Sequence, residues 1–344
     1  MLSHHLPPFF AHLSSLGRYA LSYGHAGVRA LIGALFHLQS PRDAFRVALR
    51  QSRFSLDEKI RVEKNKPPFL IHYHIFKNAG TSFEWALEQA FGGRFRQFDS
   101  PDPGGTISPR EIARLARVQP ELCAISSHQA APPPPRILGR RVITSILIRD
   151  PIARIGSIYT FERAQQVNRP GALKAKELDF RSYVEWRLKT SPSLFCNYQV
   201  MVCSRRRHKT DCSRRDLEAA IIRLDAIDIV GTVARYAEWL ALAQSHLQRY
   251  FPGLSLPLVH RNRSTEEQIV SEAEIFARLT RELGSALTRD LLVRNELDMA
   301  LHQVADSLLS RRLAEREIAI KLRESYSRAA DAAAKESARH LEEA

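Results

Sequence analysis

Cysteine is scarce in this chain. Its 344 residues include only Cys123, Cys196, Cys203 and Cys212, and no two of them form a CxxC pair. A zinc knuckle or thioredoxin-type redox site is thereby excluded. Four cysteines in so long a chain do not make a disulfide scaffold either. Cys123 lies in an apolar run and reads as core, whereas Cys203 and Cys212 flank a basic run and could pair in an oxidising compartment. No secretory pattern opens the sequence. Ala20 to Leu38 is fairly apolar, but His25, Arg29 and His37 interrupt it, and a membrane span needs roughly 20 apolar residues with few charges. There is no internal repeat, no Walker A sequence of the form GxxxxGK(S/T), no aromatic-rich basic stripe and no DNA- or RNA-binding motif. No grouping of Asp, His and Cys has metal-ligand spacing, so neither a metal nor nucleic acid is expected at the site.

What is present is a strongly basic, globular composition. The formal net charge is +14, and the pI is about 10.0. Such a charge favours anionic partners: nucleotides, nucleic acid, acidic glycans or anionic lipid headgroups. The basic residues are scattered, and only Arg205-Arg206-Arg207-His208-Lys209 forms a dense run, which reads as a solvated loop. Hydrophobic residues make up 44% of the chain, enough to bury a sizeable core in one large or two modest domains.

Three segments are expected. Residues 1–66 look like amphipathic helices with basic faces, which either pack on the rest of the chain or attach loosely to a membrane surface. At Lys66-Pro67-Pro68 the helical period gives way to apolar runs of strand length: Phe69–Phe76, Leu122–Ser126, Val142–Ile148 and Ile227–Val230. These alternate with helical patterns at Ser82–Phe91, from Asp150-Pro151 through Phe161, at Asp216–Leu224 and at Tyr236–Tyr250. Strands alternating with helices predict an α/β domain, residues 67–310, with a central parallel sheet covered on both faces. Residues 266–340 are helical in pattern, and 311–344 read as a charged helix, either a solvated face or a surface for self-association.

Each predicted strand is followed by polar residues: Lys77-Asn78-Ala79-Gly80-Thr81-Ser82, then Ser127-His128, then Arg149-Asp150-Pro151, then Gly231-Thr232. Ligands of open α/β sheets bind outside the carboxyl ends of the strands, so a lysine, a histidine and an arginine are placed along one rim. In the first segment, small residues let backbone N–H groups approach an oxyanion at a helix N-terminus. Thr81 and Ser82 add hydroxyls, and Lys77 adds a positive charge. An ordinary strand-to-helix turn with a chance lysine fits the same residues. Arg149 ends a buried strand, where an unpaired charge is costly, and Ser157 follows two helical turns on. An anion would offset that cost, as would an ion pair with Asp150. Arg154 and Arg163 read as surface charges, and His72 and His74 as core or sheet-face residues.

The segments Lys77–Phe83 and Arg149–Tyr159 (RDPIARIGSIY) resemble the two donor-binding motifs of carbohydrate sulfotransferases dependent on 3′-phosphoadenosine 5′-phosphosulfate (PAPS). The branch that contains heparan sulfate 2-O-sulfotransferase and its bacterial relatives is the most similar. In that family the first motif reads like PKTGGTS and cradles the 5′-phosphosulfate, and the second reads like RDPxxRxxSxY and holds the 3′-phosphate. Asn197-Tyr198-Gln199, Ile229–Thr232, His260–Ser264 and Glu296–Leu301 resemble later family elements in the same order, so the likeness spans about residues 69–310. Phe76 stands where the family has proline, and Asn78-Ala79 where it has Thr-Gly. The resemblance implies a P-loop-like three-layer fold flanked by N- and C-terminal helical segments. It also implies donor binding by Lys77, Asn78, Ala79, Gly80, Thr81, Ser82, Arg149 and Ser157.

The chemistry implied is in-line transfer of a sulfuryl group from PAPS to a hydroxyl of a carbohydrate or glycolipid, leaving adenosine 3′,5′-bisphosphate (PAP). Lys77 suits neutralisation of charge on the leaving phosphate. His128 is the candidate base, with Glu84 and Glu162 as rivals. The resemblance agrees, because the family's 2-O-sulfotransferases carry a catalytic histidine between the two donor motifs. A bacterial cytoplasmic enzyme is expected, with peripheral contact to the inner membrane through the N-terminal helices and homo-oligomerisation through the C-terminal helix as further expectations. A nucleotide-dependent kinase and a non-enzymatic polyanion-binding module are the alternatives.

Overall fold

The computed structural model describes residues 66–102, 104–205, 211–258 and 272–317. The expected N-terminal helices, Arg206–Lys209 of the basic run, the His260–Ser264 loop and all but the first residues of the C-terminal charged helix lie outside these. The chain divides into two compact units, and the one spanning Glu63–Leu309 contains the sheet.

Four of the apolar runs become strands: β1 (Phe69–Tyr73), β3 (Ala124–Ser127), β4 (Val142–Ile148) and β5 (Ile229–Thr232). All their residues are buried except Val142, as expected for strands covered on both faces. β2 (Phe95–Gln97) was not expected, because its short Phe-Arg-Gln sequence has no apolar run and sits half-exposed at the sheet edge. The five strands form one all-parallel sheet in the order β2-β3-β1-β4-β5. Strand β1 ends three residues earlier than expected. The chain turns at once, with Ile75 N–H donating to Tyr73 O and Asn78 N–H to Ile75 O.

Helix α1 (Gly80–Phe91) carries the chain from β1 to β2, and α2 (Pro109–Val118) carries it back from β2 to β3. Right-handed crossovers in opposite directions put these helices on opposite faces, giving three layers. Helix α2 starts at a capping box, Ser108 with Glu111. As expected from Asp150-Pro151, the Asp150 carboxylate caps α3 (Pro151–Ala164) by accepting from Ala153 N–H at 2.8 Å. Between β4 and β5 follow α4 (Pro170–Glu177), α5 (Phe180–Thr190), α6 (Pro192–Phe195), α7 (Tyr198–Cys203) and α8 (Arg214–Asp225). Beyond β5 come α9 (Tyr236–Gln248), α10 (Glu272–Leu283), α11 (Ser285–Arg294) and a last helix, α12, starting at 296.

Two apolar clusters fix these elements. Phe83 of α1 meets Trp239 of α9 edge-on at 4.7 Å, over His72 of β1. Ile152, Ile155 and Ile158 of α3 pack with Phe180, Tyr183 and Val184 of α5 and with Leu279 and Leu283 of α10. Among the described residues no disulfide is formed, so the expected Cys203–Cys212 pairing is not seen. Among the described residues no helix is long and apolar enough to cross a membrane.

Candidate functional site

Strand β1 is the point at which the chain order diverges, with β3 on one side and β4 on the other. A crevice opens at such a switch point, and the predicted rim residues surround it. Lys77 and Ala79 adopt positive φ values of 67° and 59°. A left-handed backbone costs a non-glycine residue about 1–2 kcal/mol, and such strain concentrates at functional sites. The turn delivers the start of α1 with the backbone N–H groups of Ala79, Gly80 and Thr81 making no hydrogen bond among the described residues. Gly80 is required here, because a Cβ would lie 2.1 Å from the His74 ring. Lys77 has no carboxylate partner among the described residues. Its ammonium stands 4.2 Å from the centroid of the Phe161 ring. Burial, reinforced by the nearby Arg149 cation, lowers its pKa to about 8.

Arg149 follows β4 directly, and its Nη1 donates to Lys77 O at 3.0 Å. Two basic residues from adjacent strand ends therefore converge. A buried polar clasp fixes them. Gln199 of α7 accepts from Arg149 N–H at 2.9 Å and donates to Arg149 O at 2.7 Å. The same Gln199 accepts from Asn78 Nδ2 at 2.7 Å, and Asn78 also donates to Leu147 O at 2.8 Å. Asp298 of α12 completes the clasp by accepting from the N–H groups of Gln199 and Val200 at 3.0 and 2.8 Å. Asn197, in a left-handed conformation, accepts through Oδ1 from the N–H groups of Leu297 and Asp298. The Asn-Tyr-Gln element and the last helix are thus two halves of one support. The Asn78 side chain faces this clasp rather than the crevice.

Arg154 departs from expectation. It is 1% exposed rather than a surface charge. Its Nε donates to Phe76 O, its Nη1 to Leu194 O, and its guanidinium lies 4.0 Å from the Tyr198 ring centroid. It props the Lys77 loop from below, and burial lowers its pKa to about 10. Ser157 is half-buried on α3, six residues past the helix start at Pro151, a rise of about 9 Å. Arg163 is exposed, as expected.

On the β3 side His128 follows the strand end, with 41% of its side chain exposed. Asp99, which the sequence did not single out, holds it by accepting from His128 N–H at 2.8 Å and pairing with Nδ1 at 3.1 Å. Ser127 Oγ also donates to Asp99. Burial would raise the Asp99 pKa, but the hydrogen bonds from His128 and Ser127 outweigh it and hold the carboxyl below its ordinary value. An ionised Asp99 accepts only, so Nδ1 carries the proton and a neutral His128 has its lone pair on Nε2.

His74 lies beneath His128, ring centroids 3.8 Å apart. It is buried, one residue past β1 rather than within the strand, and its Nδ1 pairs with Glu84 at 2.8 Å. Burial lowers the His74 pKa and keeps the ring neutral. Glu84 also accepts from Ser126 Oγ and Gln97 Nε2, and these bonds with His74 outweigh its burial and leave it ionised. Potential ligand atoms of His74, Glu84 and His128 lie within 4.8 Å of one another, a grouping invisible in the spacing of the sequence. The two imidazole rings are tilted by 33° to one another, and His74 Nδ1 is already paired with Glu84. The trio has the form of a hydrogen-bonded support for His128. Both rival bases are engaged: Glu84 as above, and Glu162 by Arg187 and the Tyr183 hydroxyl.

No family model matches the chain. It is 30% identical over 238 residues to an uncharacterized protein of Archaeoglobus fulgidus, an alignment covering 67% of this chain and 93% of that protein. The chain belongs to the same family as this archaeal protein.

Proposed function

We propose that the chain is a PAPS-dependent sulfotransferase acting on a hydroxyl of a carbohydrate or glycolipid. The observation that carries this reading is the convergence of Lys77 and Arg149 where β1 and β4 end, beside the N–H groups of Ala79, Gly80 and Thr81, which have no hydrogen-bond partner among the described residues. Two cations held together in a half-buried crevice repel each other, and burial together with this repulsion lowers the Lys77 pKa to about 8. A multiply charged anion offsets that repulsion and the desolvation. The donor motifs support a phosphosulfate at the α1 terminus and a 3′-phosphate toward Arg149 and Ser157.

The residues then divide the work. Lys77 and the α1 N–H groups hold the phosphosulfate. His128, fixed by Asp99, takes the proton of the acceptor hydroxyl as its oxygen bonds to sulfur. The bond from sulfur to the bridging phosphate oxygen breaks, the leaving phosphate keeps the electron pair, and Lys77 neutralises the charge that grows there. A thermal-shift screen with PAP, ATP and NAD tests the donor class. Stabilisation by PAP is expected, and stabilisation by ATP that PAP fails to compete with would sink the reading in favour of a kinase. Lys77→Ala, folded by circular dichroism, is expected to lose nearly all transfer of labelled sulfate.

A further inference from the structure

Lys77 is half-buried and has no carboxylate partner among the described residues. The charged groups packed around it are of the same sign or already committed. Arg149 reaches its carbonyl from the end of β4, and Arg154 of α3 reaches the carbonyl of Phe76, one residue earlier. Glu162, next to Phe161 in the chain, is turned away. It pairs with Arg187 of α5, with side chains only 14% and 11% exposed, and accepts from the Tyr183 hydroxyl. An ammonium so placed tends to lose its proton, because burial and a neighbouring cation both disfavour its charge.

An aromatic face stands where a counterion would. Lys77 Nζ lies 4.2 Å from the Phe161 ring centroid, inside the roughly 6 Å over which a ring face attracts a cation. Phe161 follows Ser157 by four residues on α3, one turn along the same side of the helix. Phe76 meets the Phe161 ring edge-on, with centroids 5.7 Å apart and planes at 76°. Phe76 stands where the family resembled has proline, and a proline has no aromatic edge to offer. Both phenylalanines wall a cavity of about 660 Å³ that the Glu162–Arg187 pair also lines. The Phe161 ring is 36% exposed, so the core does not clamp it. Its contacts with Lys77 and Phe76 then set where it lies.

Resting on the reading of Lys77 as the cation that meets the donor phosphate, we propose that Phe161 is a positioning residue for Lys77. Its ring holds the ammonium beside the anion cradle and stabilises the charge without neutralising it. A carboxylate in the same place would stabilise the ammonium as well. It would also cancel the charge that attracts the donor, and compete with the phosphate for the N–H groups of Lys77. A ring face carries no net charge and accepts no strong hydrogen bond, so the three N–H groups of the ammonium stay available to phosphate oxygens. Beside Arg149, the cradle thereby keeps two positive charges for an anion.

Acetylation by acetic anhydride, followed by mass spectrometry across a pH series, reads the titration of Lys77 directly in the free protein. The wild type is compared with Phe161→Leu, Phe161→Tyr and Phe76→Leu, each checked for folding by circular dichroism. PAP affinity is measured on all four between pH 7 and 9.5. In Phe161→Leu the midpoint of Lys77 reactivity should fall by about 0.4 to 1.5 pH units, the strength of a cation–ring contact expressed as a pKa shift. PAP binding should then weaken from a correspondingly lower pH. Phe161→Tyr keeps a ring face and should titrate as the wild type does. Phe76→Leu keeps the ring but not its edge contact and should shift less, in the same direction. An unchanged or raised midpoint in Phe161→Leu overturns the proposal, because the ring would then act only as cover. The same fall in Phe161→Tyr overturns it too. If Phe161→Leu does not fold, Phe76→Leu decides, and a midpoint equal to that of the wild type overturns the proposal. PAP that fails to bind the wild type sinks the donor reading instead, while the acetylation series, which needs no ligand, still decides the role of Phe161.

Discussion

The depressed pKa of Lys77 makes its role measurable through pH alone. In the free protein, burial and Arg149 lower that pKa to about 8. At pH 7 the ammonium form dominates by about ten to one, and at pH 9.5 only about 3% of it remains. A bound phosphate stabilises the ammonium and raises its pKa, so binding takes up a proton once the free amine deprotonates. PAP affinity should therefore hold steady near pH 7 and fall above pH 8, with log Kd rising toward one unit per pH unit. A hydrogen bond to a charged group contributes about 1.5–3 kcal/mol, so the full decline should reach about 10- to 150-fold. The ligand does not confuse the profile, because phosphate monoesters lose their second proton near pH 6. Isothermal titration calorimetry between pH 7 and 9.5 would follow it. Lys77→Ala should bind weakly with a flat profile. Lys77→Arg should also be flat, because a guanidinium keeps its charge. A wild-type profile without the decline, or the same decline in Lys77→Ala, would refute the assignment of Lys77 to the donor phosphate.

Two further outcomes test the supports of the site. Gln199→Leu removes the partner of Asn78 Nδ2 and of both backbone groups of Arg149. Orphaning buried polar groups costs about 1–3 kcal/mol each, so urea unfolding should show a loss of at least ~2 kcal/mol together with weaker PAP binding; a loss below ~1 kcal/mol would contradict the clasp. His72, fully buried, has its pKa lowered from 6.5 to about 3, chiefly by burial. Between pH 6.5 and 3 the unfolded state binds the extra proton, so stability falls as pH falls through that window, by about 2 kcal/mol from pH 7 to pH 5. In His72→Phe the loss measured by urea unfolding at the two pH values should shrink by that amount, and an unchanged loss would exclude His72 as its source.

The Lys77 loop illustrates how far local sequence reaches. Lys77, Gly80, Thr81 and the helix behind them were legible because their spacing is local. The cost of Ala79 was not, since only the backbone conformation reveals a left-handed position that glycine would occupy freely. Arg154 resembled any helix-surface arginine, yet its side chain turns inward to carbonyls far along the chain. Asp99 was hidden for the same reason: it lies 29 residues from His128, and nothing in its immediate neighbourhood marks it. The Asn197-Tyr198-Gln199 element was legible as a resemblance, but its bond to Asn78, 121 residues away, was not.

By itself the sequence determined the alternation of buried strands and helices, and with it a parallel sheet whose rim carries Lys77, His128 and Arg149. Those features follow from hydrophobic periodicity and local turn chemistry, which act over a few residues. Tertiary structure decided the rest: strand order, the stacking of His74 on His128, the Gln199–Asp298 clasp and the aromatic cavity over the Glu162–Arg187 pair. Each brings together residues distant in the chain, and such pairings are set by how whole elements pack rather than by neighbouring residues.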